Sequence, residues 1–208
     1  MNRLPTWSVP IYQFDAWAEH DQYQDQLLSL AYQLQHENNR SGVAPHAKRL
    51  YESDFTFFSR EEPAVVALRE YCREQVFQAA NDANRGRWEP GARIGVDLHE
   101  SWVHITSTGG YHDMHSHPNS AWSGIYYIRA GESDLQARNG TNRFYCPWQS
   151  AYSDIGTQWT SQVSSIDIMP QDGGMVIFPS WLMHSALPYT GDTERVVMAF
   201  NCKFIDGR

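Results

Sequence analysis

Near Trp88 the hydrophobic period of this chain changes, and that change limits its fold more than any other feature. Ahead of it, apolar residues recur at three- and four-residue steps; behind it, they alternate in short runs cut by Gly-Gly, Pro and Asp-Gly. Leu27, Leu30, Ala31 and Leu34 predict a helix over residues 19–37. A second is predicted from 63 to about 80, where Pro63 suits a first helical turn and Glu61 and Glu62 sit at its positive end. Residues 6–14 read as extended and 40–58 as a loop. Strands are predicted at 92–106, 121–129, 133–137, 161–168, 174–179 and 193–205. Short strands after two helices imply an all-β sandwich or barrel with the helices packed outside. The expected organisation is one domain, with residues 1–87 as the helical part and 88–208 as the β core. Residues 138–160 show no period but hold five aromatics, and are expected to form a mobile cover with Tyr145, Trp148 or Trp159 facing the substrate.

Composition narrows the function. Twenty-four acidic against 16 basic side chains give a formal charge of −8, which argues against a nucleic-acid partner. No apolar run approaches the ~18 residues of a membrane span, so no membrane partner is expected. The first residues carry no apolar targeting stretch, which leads to the expectation of a cytoplasmic protein. Cys72, Cys146 and Cys202 lie far apart with no CxxC pair, so neither a disulfide frame nor a zinc knuckle is expected. The oligomeric state stays open, a homodimer included.

The chemistry concentrates in Gly109-Gly110-Tyr111-His112-Asp113-Met114-His115-Ser116-His117-Pro118. Residues two apart on a strand point to one face, so His115 and His117 aim together with Cα atoms about 6.6–7 Å apart. Both imidazoles can then reach one ion at ~2.1 Å. Pro118 holds His117 extended. His184, after the segment Phe178-Pro179-Ser180-Trp181, is the best third ligand. In a regular strand His112 faces away from the pair. Asp113 shares the face of His115 and His117, but about 13 Å of extended chain separates it from His117. The ligands are therefore His115 with His117, or Asp113 with His115; in the first case Asp113, like His112, is left as a possible outer-sphere group. Arg195 shares its strand face with Val197, Ala199 and Asn201, where a guanidinium can reach into a cavity and clamp a carboxylate. Trp102, His104, Asn119, Trp122, Trp181 and Asn201 are candidate pocket-lining residues for a small molecule or a protein side chain.

Over about residues 88–205 these pieces resemble the 2-oxoglutarate/Fe(II)-dependent oxygenases, in particular a bacterial and phage branch. The resemblance rests on Gly109 six residues before His115, the strand Ser123-Gly124-Ile125-Tyr126-Tyr127-Ile128, the approach to His184, and Arg195 beyond it. It implies a double-stranded β-helix (a jelly-roll, cupin-like barrel) that uses Fe(II) and 2-oxoglutarate as cosubstrate, with hydroxylation as the expected reaction. His115, His117 and His184 then become the metal ligands and Arg195 the cosubstrate anchor. Tyr127 and Thr106 assist it, because the hydroxyl usual two residues after the arginine is replaced by Val197. His117 stands where the family usually has a carboxylate. The same histidines also resemble a cupin-type metalloenzyme that needs no 2-oxoglutarate, and a third reading is a non-catalytic metal- or small-molecule-binding barrel. The cupin reading has no need for Arg195.

Overall fold

The structure is a computed structural model that describes residues 8–37, 47–84, 87–89, 91–148, 155 and 164–206. Strand β1 (Tyr12–Phe14) is followed by helix α1 (His20–Glu37), strand β2 (Ala47–Glu52), a 3₁₀ turn (Phe57–Ser59) and helix α2 (Pro63–Ala83). The remaining strands are β3 (Ile94–His115), β4 (Trp122–Arg129), β5 (Asn142–Tyr145), β6 (Ser165–Ile168), β7 (Met175–Pro179), β8 (His184–Tyr189) and β9 (Arg195–Asp206). They pair in the order β1-β7-β4-β9-β3-β8-β5-β6, with β2 also on β3.

Strand β3 makes this one path into two facing layers. Its first half, from Ile94 to Thr106, pairs with β9, and its second half, from Gly110 to His115, pairs with β8. The chain turns between them at Gly109, whose φ of +81° suits glycine, and at Gly110, where a Cβ would lie 2.6 Å from the Arg49 carbonyl. Strand β2 spans that corner by pairing with both halves. The result is the expected double-stranded β-helix.

Alternation along the large layer feeds two cores. Trp122, Tyr126 and Ile128 of β4, with Met198 and Phe200 of β9, pack outward with the helices. Ile125, Tyr127, Val176, Phe178 and Val197 pack inward with Phe144, Ile168 and Leu182. Helix α1 meets the outer core through Leu27, Ala31 and Leu34, and α2 through Ala64, Val65, Leu68, Cys72 and Val76. These positions recur at three- and four-residue steps, and Pro63 begins α2 where its missing N–H costs nothing. No described helix is long and apolar enough to cross a membrane.

Four expectations about elements need correction. Residues 133–137 form turns, because Asp134 Oδ1 accepts the Ala137 N–H and the Ser133 hydroxyl donates to the Ala130 carbonyl, local bonds that compete with a ladder. The expected loop at 40–58 contains β2, a polar segment held extended by its pairing with β3. The aperiodic stretch at 138–160 contains β5, which joins β6 and β8. Strand β8 was absent from the sequence expectation because Pro188 interrupts its pattern. Of the cover expected over 138–160, residues 149–154 and 156–160, Trp159 among them, lie outside the described residues.

Candidate metal centre and cosubstrate pocket

The second half of β3 ends at His115 and β8 begins at His184, and these two residues are register partners. Their rings therefore meet at one level, with centroids 4.3 Å apart. His117 lies just beyond the strand and is held there by its N–H, which donates to the Ser180 carbonyl at 2.8 Å. Its ring centroid is 5.0 Å from each of the other two. One nitrogen from each of the three rings lies within 4.8 Å of the others. A shared ion at ~2.1 Å from each donor allows separations up to about 4.2 Å, so a small closing of the rings suffices.

Backbone carbonyls set two of the rings. His115 Nδ1 lies 2.7 Å from the Asp113 carbonyl oxygen, and His184 Nδ1 lies 2.9 Å from that of Leu182. With Nδ1–H donating there, each Nε2 presents a lone pair, as metal-binding imidazoles do. Phe178 packs on the His184 ring edge-on, with Phe144 behind it. Burial, reinforced by the neighbouring imidazoles, pushes the pKa of His115 down to about 2 and those of His117 and His184 to about 3. The three groups are thus neutral donors that a cation need not strip of protons.

Arg195 opens β9 and is 2% exposed. Its Nη2 donates to Asn142 Oδ1 at 2.7 Å, and the Tyr127 hydroxyl donates to the same oxygen at 3.0 Å. The guanidinium lies 5.6 Å from the Tyr127 ring centroid. Burial lowers its pKa but leaves a guanidinium charged. Among the described residues it has no acidic partner, and its Nε has no hydrogen bond. Thr106 is its register partner on β3, and the Thr106 hydroxyl is likewise buried without an acceptor or donor. A buried cation beside unused polar atoms fits an incoming carboxylate. Arg195, Asn142, His115, His117 and His184 line one cavity.

The other candidates divide. Trp102 and His104 line the cavity. His112 does so too, contrary to expectation: register shifts on either side of it turn its ring inward, 4.0 Å from that of His115. Asp113 is exposed, and it is its backbone carbonyl rather than its carboxylate that orients His115. Trp122 faces the helices, since the inward parity of β4 belongs to Ser123, Ile125 and Tyr127. Trp181 is 55% exposed, and Asn119 is an exposed turn residue with φ of +65°; neither lines the cavity. Asn201 sits behind the wall, accepting from Ser123 and donating to Glu100. Two groups escaped the sequence reading: Asn142, which lines the cavity, and Glu52, which is bonded to His104 of its wall. Both lie in segments without a clear period, and parity on β5 or β2 could have found them only once those strands were known.

Residues 100–201 match a family model described as "Putative 2OG-Fe(II) oxygenase". No curated protein sequence matches the chain. Among solved structures, a Pseudomonas putida prolyl-4-hydroxylase superposes with a TM-score of 0.61 at 14% identity, covering 93% of both chains. HygX from Streptomyces hygroscopicus, solved with nickel, 2-oxoglutarate and hygromycin B, gives 0.59 at 12% identity, covering 93% of this chain and 82% of that one. A Trichoplax adhaerens prolyl hydroxylase, in complex with a hypoxia inducible factor peptide fragment, gives 0.57 at 14%, covering 92% and 82%. These likenesses concern the fold; the family match adds the chemistry. The chain belongs to the 2-oxoglutarate/Fe(II)-dependent oxygenases, dioxygenases that use Fe(II) and 2-oxoglutarate.

Proposed function

We propose that His115, His117 and His184 hold the Fe(II), that Arg195 with Tyr127, Thr106 and Asn142 holds the far carboxylate of 2-oxoglutarate, and that the enzyme hydroxylates a C–H bond of a small molecule or a protein side chain. The observation that carries this reading is Arg195, a buried guanidinium without an acidic partner among the described residues, in the cavity that three neutral imidazoles also line. A cupin-type site without 2-oxoglutarate leaves that charge unexplained. When bound, Fe(II) and 2-oxoglutarate supply oxygen activation coupled to decarboxylation, giving succinate and CO₂ and the oxidising power for the C–H bond.

The chain's own residues have simpler tasks. Asn142 aims the guanidinium through one bond and fixes the Tyr127 hydroxyl through another. Burial pushes the Tyr127 pKa up, so its hydroxyl stays a proton donor. The carbonyls of residues 113 and 182 fix two imidazoles in the tautomer that presents Nε2. Phe144 and Phe178 wall the His184 side against water. The two substrate classes follow the neighbours: HygX was solved with hygromycin B and the Trichoplax enzyme with a peptide fragment.

Anaerobic addition of Fe(II) and then 2-oxoglutarate tests the reading. A visible metal-to-ligand charge-transfer band is expected only with both present, and oxygen should then convert 2-oxoglutarate to succinate. A protein that binds Fe(II) but develops no such band at saturating 2-oxoglutarate contradicts the proposal.

A further inference from the structure

Two histidines of the cavity wall, His104 and His112, belong to a second set of donors that Glu52 completes. Glu52 on β2 and His104 on β3 are register partners, and Glu52 Oε2 lies 2.7 Å from His104 Nε2. His112 faces them from the other half of β3, its ring centroid 5.7 Å from that of His104. One donor atom from each of the three lies within 4.8 Å of the others. We propose that Glu52, His104 and His112 bind a second divalent transition-metal ion beside the histidine triad.

Three observations support a cation rather than a plain hydrogen-bonded pair. The set is two imidazoles and one carboxylate, a composition suited to Fe(II), Zn(II) or Mn(II) rather than to the oxygen-only preference of Ca(II). The groups are largely buried, with side chains 19% exposed for Glu52 and 13% for His104, and His112 at 9%. His112 Nδ1 lies 3.1 Å from the Asp113 carbonyl, which leaves Nε2 as the free nitrogen.

His104 Nε2 is also oversubscribed. The Trp102 indole N–H donates to it at 3.0 Å while the Glu52 carboxylate stands on its other side. An unprotonated Nε2 can accept from the indole, but then faces the carboxylate lone pair to lone pair. A protonated one can donate to Glu52, but then faces another N–H. A cation held by Oε2 and Nε2 removes the repulsion between the two lone pairs; the indole N–H then loses its acceptor there, as it does when Nε2 is protonated. Like charges in one cavity should make the second ion bind more weakly than the first.

The test is a titration of the chelator-stripped full chain with Zn(II) alone, followed by calorimetry and by elemental analysis after dialysis. Wild type should take up two equivalents per chain in two steps. Glu52→Gln and, separately, His112→Asn should each take up one, while keeping the apo thermal melt of a folded chain. His184→Ala should also keep one, and His184→Ala combined with Glu52→Gln none. Saturation of wild type at one equivalent overturns the second site, whatever the variants do. Two equivalents in a folded Glu52→Gln chain overturn it too, and so does none, because the two clusters would then be one site. Failure here leaves the triad intact: Glu52→Gln should still give the Fe(II)–2-oxoglutarate band, whose loss in wild type counts only against the first proposal.

Discussion

At the scale of single residues, the charge of the proposed donor set has the largest consequence. Three neutral imidazoles leave a bound divalent ion one unit more positive than two imidazoles and a carboxylate would. His117→Ala should therefore remove most of the iron after Fe(II) reconstitution. Asp113→Ala should retain most of it, because the aspartate's carbonyl, not its exposed carboxylate, touches His115. Iron content of the two purified variants checks this, and the reverse order would mean a shifted ligand set. Arg195→Met should leave iron uptake unchanged and weaken 2-oxoglutarate. Losing one side of a desolvated charge pair costs about 2–5 kcal/mol, or roughly 30-fold to several thousand-fold in Kd. Arg195→Lys should recover only part of this, since an ammonium cannot reproduce the planar fork. Titration of the charge-transfer band gives the constants; wild-type affinity in Arg195→Met would contradict the anchor role.

At the scale of elements, Gly124 shows how closely the strands and their side chains are fitted. A Cβ there would lie 2.2 Å from the ring of Phe200, which is itself fully buried against the helices. Gly124→Ala should destabilise the fold by about 1–3 kcal/mol, because that ring has nowhere to go. A lower urea midpoint at unchanged slope checks it. The elements also show what a single sequence reveals. The helices and strands β4, β7 and β9 were legible because their apolar periods are long or dense. The pair His115 and His117 was named from the two-residue strand period and Pro118, but β3 ends at His115 and the Ser180 carbonyl holds His117 in place; Arg195 was named from the parity of its strand. His112 was not, since the register shifts that turn it inward depend on which strand it pairs with. Asn142 and Glu52 lie on short, polar strands made extended by their partners. Trp122 and Trp181 misled because a tryptophan's abundance and size carry no direction: one faces the helices and the other solvent.

At the scale of the whole molecule, the joint between α1 and the β layer includes a buried histidine beside the apolar contacts of Leu27, Ala31 and Leu34. His20 is 4% exposed, and its Nδ1 lies 2.7 Å from the Tyr126 hydroxyl of β4. Its ring rests on Gly173, where a Cβ would lie 2.7 Å away, and its Nε2 is buried without a partner. A protonated imidazole has two N–H donors, and here one of them would find no acceptor. Burial accordingly lowers the pKa of His20 below 6.5, against the opposing pull of Asp172 and Asp21. The sign of the effect follows from linkage. Above pH 6.5 the group is neutral in folded and unfolded chains alike, and the joint has its full stability. As pH falls below 6.5 the unfolded chain takes up the proton first, so stability is lost until the folded pKa is reached. The buried histidines of the metal cavity push the apo chain in the same direction, so the wild-type curve alone cannot assign the effect. The difference between wild type and His20→Gln can, because the cavity contribution cancels in it. His20→Gln should be the less stable protein at pH 8, through loss of packing on Tyr126 and Gly173. Its disadvantage should shrink steadily between pH 6.5 and 5. Urea unfolding of both chelated proteins across that range measures the difference, and a gap that stays constant with pH would show that protonation of His20 is not resisted by the fold.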